Sequence, residues 1–190
     1  MNGLFEAARQ LQVFCDGQGW RSCFIGGLAV QRWGEPRVTL DVDLTVLAGF
    51  GGEDRIIDPL LAAYLPRIED ARSFARRNRV LLLKTPDGVG IDVSLGALPF
   101  EERVIDRATL FSAGPGLDVR TCSAEDLIVL KLFASRPLDI RDAEGVAIRQ
   151  EGRLDWPYIE EQLRPLAELK DEAAILSTLA RVRGLTGAPE

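Results

Sequence analysis

Residues Ile25 to Leu44 constrain what this chain can fold into more than any other stretch; they read Ile-Gly-Gly-Leu-Ala-Val-Gln-Arg-Trp-Gly-Glu-Pro-Arg-Val-Thr-Leu-Asp-Val-Asp-Leu. Trp20 to Ile25 is a short strand-like run, and Gly26-Gly27 breaks it. Leu28 to Trp33 resumes with helix formers until Gly34-Glu35-Pro36 stops them, and Leu40 to Val46 alternates apolar and polar residues. The pattern predicts a strand, a glycine turn, a short helix and a second strand with one buried face. Side chains two apart in a strand point the same way, so Asp41 and Asp43 share a face.

Each half of this stretch has two readings. Glycines at a strand-to-helix junction let the backbone approach a ligand, and the amides opening the helix attract phosphate; a tight turn explains Gly26 and Gly27 equally well. Acids are depleted in strands, and hard divalent cations take carboxylate oxygens, which makes Asp41 and Asp43 candidate metal ligands. Alternatively, the two acids solvate the outer face while Leu40, Val42 and Leu44 face the core. Asp92, within Gly90-Ile91-Asp92-Val93-Ser94 of a later strand, favours the metal reading, because a third carboxylate beside the pair builds a site able to hold two ions.

The rest of the chain predicts helices over Leu4 to Phe14, Asp54 to Tyr64, Phe100 to Asp106, the Ser123-capped run Leu127 to Phe133, Asp139 to Gln150, from Asp155-Trp156-Pro157, and Asp171 to Val182. Strands fall at Val80 to Leu83, Val89 to Leu95, Ala108 to Ser112 and Leu117 to Thr121, with Pro86-Asp87-Gly88 as a hairpin turn. Strands early and helices late give an α+β (mixed α/β) layout: a mixed sheet flanked by helices over residues 1–122, then a C-terminal helical part over 123–190.

Composition closes several routes. The chain contains no histidine, so imidazole acid/base chemistry is ruled out, and Cys15, Cys23 and Cys122 have no metal-binding spacing. They read as core residues of a reducing compartment. The net charge of -6 argues against indiscriminate nucleic-acid binding. A local basic run, Arg67, Arg72, Arg76, Arg77, Arg79 and Lys84, is either an RNA-acceptor footprint or a solvated helix face. The sequence from Met1 to Gln12 lacks a signal-peptide pattern and no window is apolar enough to span a bilayer, which together predict a cytoplasmic protein.

Ile25-Gly26-Gly27, a spacer, Asp41-Val42-Asp43-Leu44 and a later strand acid together resemble the signature of the nucleotidyltransferase superfamily related to polymerase beta. Gly26-Gly27-Leu28-Ala29 with Arg37-Val38-Thr39-Leu40-Asp41 is similar to its bacterial AbiEii-type and MenT-type toxins and their uncharacterised relatives. The resemblance implies that Asp41, Asp43 and Asp92 are catalytic and bind Mg²⁺ or Mn²⁺, and that Gly26 and Gly27 hold the nucleoside triphosphate. Arg32 and Arg37 flank the motif and are placed to touch the triphosphate. Lys131, followed by Arg141-Asp142, matches a lysine that in that branch meets the nucleotide or braces the site; a solvated place on an amphipathic helix explains it too. The expected activity is transfer of a nucleoside monophosphate to an acceptor hydroxyl on an RNA end, a protein or a small molecule such as an aminoglycoside, and the toxin-like resemblance favours the first two. A cognate antitoxin is the partner this branch implies. The other class of function is a non-catalytic nucleotide- or protein-binding module of the same fold.

Overall fold

The computed structural model describes residues 2–172 and 174–187. The chain forms two compact units, Met1–Leu28 with Val38–Cys122, and Ala29–Arg37 with Ser123–Glu190. In chain order the elements are α1 (Asn2–Gly17), β1 (Ser22–Phe24), α2 (Gly26–Trp33), β2 (Asp41–Leu47), α3 (Asp54–Ala63), β3 (Leu65–Pro66), α4 (Ala71–Asn78), β4 (Val80–Lys84) and β5 (Gly90–Gly96). They continue as α5 (Pro99–Asp106), β6 (Thr109–Ser112), β7 (Asp118–Thr121), α6 (Ala124–Ala134), α7 (Pro137–Arg149), α8 (Trp156–Lys170) and α9 (Ala174–Gly184). The expected mixed α/β layout is the observed one.

Among the described residues the seven strands form one sheet in the first unit, ordered β3-β4-β5-β2-β1-β7-β6. At its centre β2 and β5 run parallel, in register from Asp41 opposite Gly90 to Leu47 opposite Gly96. β4 joins β5 antiparallel, closing through a turn in which Gly88 takes φ +87° and Thr85 Oγ1 accepts from the Val89 amide at 3.0 Å. Glycine suits that left-handed position because it carries no Cβ.

Alternation along these strands makes two unlike faces. Val42, Leu44, Val46, Leu81, Leu83, Ile91, Val93 and Leu95 are at most 1% exposed, and they form one cluster with Leu11 of α1, Ile56, Ile57 and Leu60 of α3, and Ala71 and Ala75 of α4. The other face carries Asp41, Asp43 and Thr45 from β2, Gly90, Asp92, Ser94 and Gly96 from β5, and Val80, Leu82 and Lys84 from β4. Helix α5 packs on this face, where a Cβ built on Gly96 would lie 3.3 Å from Glu101 Cβ and 3.4 Å from Thr45 Cγ2. Thr45 is buried there, while the three aspartates toward the other end are only half-buried.

Caps in the second unit follow the sequence signals. Ser123 Oγ accepts from the Asp126 amide at 3.1 Å to open α6, and Asp155 Oδ1 accepts from the Tyr158 amide at 3.0 Å to open α8. Helix α6 buries Leu127, Ile128, Val129 and Leu132, so it is apolar nearly all round.

The differences from expectation are local. Leu40 is 77% exposed and precedes β2, because the ladder with β5 ends at Asp41 opposite Gly90 and offers Leu40 no partner. Tyr64-Leu65-Pro66 does not simply end a helix: Leu65 and Pro66 pair with Lys84 and Leu83 as an edge strand. Helix α8 extends to Lys170 and Asp171 caps it at φ +54°, so the last helix begins at Ala174 rather than Asp171; Ala173 of the predicted stretch lies outside the described residues. Cys15, Cys23 and Cys122 are buried thiols outside any disulfide, and burial pushes Cys15 up to about 12. Among the described residues no helix is long and apolar enough to cross a membrane.

Leu83→Ala is expected to lower the unfolding free energy by about 2–5 kcal/mol, the cost of a cavity in a packed core. Urea titration followed by circular dichroism checks it.

Candidate functional site

The acidic face of the sheet is built by register. Pairing sets Asp43 directly beside Asp92 and Asp41 beside Gly90, so the three carboxylates predicted from sequence rise from one side of two neighbouring strands. Directly opposed like charges destabilise a sheet unless a cation or water relieves them.

Two glycines make room for these acids and a third makes room for Thr39. Gly26 sits at φ +54°, and a Cβ built on it would lie 2.5 Å from Asp43 Cγ. A Cβ on Gly27 would lie 2.7 Å from Thr39 Cβ, and one on Gly90 would lie 2.9 Å from Asp41 Cγ. Any side chain at these positions displaces the motif residue beside it. The Gly27 amide, in the first turn of α2, donates to Asp43 Oδ2 at 3.3 Å. That amide is turned to the motif's own carboxylate, which reads as a helix cap as well as a ligand cradle.

Arg67 is the residue that sequence reasoning did not single out. Its backbone amide donates to Leu82 O at 3.0 Å, which continues the sheet by one position beyond Pro66. Leu82 pairs with Asp92, and Asp92 with Asp43, so residues 67, 82, 92 and 43 lie in one row across the sheet. From the end of that row the Arg67 guanidinium hydrogen-bonds Asp92 Oδ1 and lies 3.7 Å from Asp41 Oδ1. Only the strand order reveals this, since sequence places Arg67 in a basic run. Gly90 was legible in principle as Gly-x-Asp in an alternating strand. Lys84, exposed and two residues from Leu82, stands on the same face.

The donor set can be tested against a divalent ion. It consists of oxygens alone, in a chain without histidine and with its cysteines buried, and such a set fits a hard cation. Among the described residues no three His, Cys, Asp or Glu side chains are drawn together tightly enough to grip an ion; Asp41 and Asp92 partner Arg67, and Asp43 partners Gly27. Asp41, Asp43 and Asp92 supply oxygen donors from one face of β2 and β5.

The remaining predicted residues belong to the second unit. Arg32 lies over the Trp33 ring with its guanidinium carbon 4.0 Å from the centroid. Arg37 forms a two-pronged pair with Asp142, both contacts at 2.8 Å. Lys131, 7% exposed, donates to Asp139 Oδ1 and pairs with Asp142 Oδ2, each at 2.8 Å, and Arg136 meets Asp139 Oδ2 at 2.5 Å. Lys131 is thus no solvated surface position, and Asp139 and Asp142 are network members rather than helix-start acids alone. The basic run is also engaged: Arg76 grips Asp54 at 2.9 and 2.5 Å, Arg72 pairs with Asp58, and Arg79 reaches Glu53 at 2.5 Å. The solvated, salt-bridged helix reading describes α4 better than an RNA footprint.

Burial raises the carboxyl pKa values of Asp139 and Asp142, but the hydrogen bonds from Arg136 and Lys131 to the first, and from Arg37 and Lys131 to the second, outweigh it and leave both lowered. A depressed native pKa stabilises above the unfolded value of about 3.9, and that contribution is lost as pH falls through the native pKa. Lys131→Met is expected to cost about 3–5 kcal/mol at pH 7, because it leaves buried acids short of a partner. The gap from wild type in urea midpoint should narrow below about pH 4 as these carboxyls protonate.

Comparison with known proteins comes after this geometry. An antigenic nucleotidyltransferase-like protein from Paracoccidioides brasiliensis superposes with a TM-score of 0.52 at 17% identity, covering 95% of this chain and 93% of that one. It shares the fold. The antibiotic-resistance factor ANT(2'')-Ia superposes with a TM-score of 0.43 at 18% identity, over 96% of this chain and 86% of its own. No curated protein matches the sequence. The sequence profile of a family described as nucleotidyltransferase of unknown function (DUF6036) matches residues 2–173, and the chain belongs to that nucleotidyltransferase family.

Proposed function

We propose that this chain is a divalent-metal-dependent nucleotidyltransferase that moves a nucleoside monophosphate from an NTP to an acceptor hydroxyl and releases pyrophosphate. Family membership supports the reaction class. The observation that carries the reading is the register that lines up Asp41, Asp43 and Asp92 on one face. Mg²⁺ or Mn²⁺, when bound, supplies charge neutralisation at the phosphates and activates the attacking oxygen.

The protein residues position the reactants. Asp41 and Asp43 hold the ion, and Asp92 accepts the proton of the attacking hydroxyl. The bare backbone at Gly26 and Gly27 admits the triphosphate. Most of the catalytic effect is orientation and fixed charge. Lys131 and Arg37 brace their surroundings, since Asp139 and Asp142 already occupy their cationic groups. The acceptor is an RNA end or a protein hydroxyl. Arg72 and Arg76 of α4 pair with Asp58 and Asp54, which offsets part of the positive charge an RNA would meet. In the cell such an enzyme serves as a toxin held by an antitoxin protein.

The test incubates purified protein with Mg²⁺, each labelled NTP in turn and pools of cellular RNA and protein, beside Asp41→Ala and Asp92→Ala. Label is expected on one acceptor class, with at least a hundredfold less in either variant, about 3 kcal/mol or more of lost transition-state stabilisation. Transfer that survives both substitutions sinks the site assignment. Absence of transfer and of NTP binding favours a non-catalytic binding module, and growth arrest on expression that the Asp41→Ala variant also causes removes the toxin reading.

A further inference from the structure

We propose that Arg67 is a built-in counter-cation of the acidic face, occupying Asp41 and Asp92 until a metal–nucleotide complex displaces it, and then pairing with the triphosphate. The inference rests on the metal-nucleotide reading of the same face and adds a positioning residue to it.

The geometry assigns the role. Asp43 and Asp92 are directly opposed on adjacent parallel strands, with Asp41 one pleat away. Such a cluster, whose neighbouring strands lie roughly 4.8 Å apart, repels itself, and nearby positive charge relieves the repulsion. Arg67 supplies it from a fixed base, because its amide is bonded to Leu82 O and the preceding Pro66 is paired with Leu83. Its side chain spans the Leu82 position to reach Asp92 and Asp41. A Cβ on Gly90 would stand 3.3 Å from the Arg67 Nη1 atom, so the absence of a side chain at Gly90 also clears the path for the guanidinium.

These contacts are exchangeable. The Arg67, Asp92 and Asp41 side chains are 29%, 33% and 48% exposed, and ion pairs of that exposure are weak. A compact divalent ion therefore competes with one guanidinium for the same oxygens. Once released, the planar fork of arginine suits phosphate oxygens, and its anchored backbone keeps it at the site. Arg67 thereby acts twice: it lowers affinity for free metal, and it raises affinity for metal bound to an NTP.

The test measures binding, not turnover. Mn²⁺ affinity is read from the loss of its free-ion electron paramagnetic resonance signal, with and without a non-hydrolysable NTP analogue, for wild type, Arg67→Gln, Arg67→Lys and Asp41→Ala. Arg67→Gln is expected to bind Mn²⁺ alone about five- to tenfold tighter, the scale of weak ion pairs removed, and Mn²⁺ with the analogue more weakly. Arg67→Lys, with charge but no fork, should fall between. Melting temperature rise on adding Mn²⁺ should be larger for Arg67→Gln than for wild type, which separates metal competition from a folding defect. If wild type and Arg67→Gln bind Mn²⁺ equally while Asp41→Ala loses it, the Arg67 proposal is overturned and the nucleotidyltransferase reading stands. If neither wild type nor Arg67→Gln binds Mn²⁺ under any condition, both fall.

Discussion

The pairing of β2 with β5 is the constraint on which the rest of this structure depends. A parallel ladder that sets Val42, Leu44 and Val46 beside Ile91, Val93 and Leu95 also sets Asp43 beside Asp92. Burial of the first set stabilises the arrangement that crowds the second, since each fully buried aliphatic side chain contributes roughly 1.5–3 kcal/mol. A slip of one residue would put the acids into the core and the aliphatic residues on the outer face. The charge cluster is thus enforced by hydrophobic packing on the far side of the same strands, and no local preference of the aspartates is needed to assemble it.

Glycine decides how closely the neighbouring backbone can approach that cluster. Gly26 combines a left-handed φ with a position where a Cβ would overlap the Asp43 carboxylate, so two independent requirements fall on one residue. Gly90 has an ordinary strand conformation and is needed only for space. Of the two, Gly26 is recognisable in the sequence as a turn, whereas Gly90 becomes meaningful only when Asp41 is known to lie opposite.

That distinction describes what the sequence made legible. Period-two alternation identified β2 and β5, an apolar run before a turn identified β4, and cap and turn residues such as Ser123, Asp155 and Gly88 located the ends of elements, because those signals are local. The shared face of Asp41 and Asp43 follows from spacing alone, but the neighbour relation with Asp92 is a long-range pairing that spacing cannot encode. Arg67 was hidden for the same reason: its partners lie 25 and 26 positions away in the chain, by subtraction of 67 from 92 and of 41 from 67. Lys131 was ambiguous because a lone lysine in that run reads as a nucleotide contact or as a solvated helix position, and its buried pairing with Asp139 and Asp142 depends on a neighbouring helix.

The two ion-pair clusters show how burial changes the meaning of the same chemistry. Lys131 with Asp139 and Asp142 is almost closed to water, with side-chain exposures of 9%, 3% and 3%. Removing one member there strands an uncompensated charge, so the network behaves as scaffold whatever its net worth against an apolar core. Arg67 with Asp41 and Asp92 is several-fold more exposed, and water can take over when the guanidinium leaves. A cation held that loosely can be replaced by another cation without unfolding its surroundings. Exchangeability, rather than the number of charges, is therefore what distinguishes the β2–β5 face from the Lys131 network.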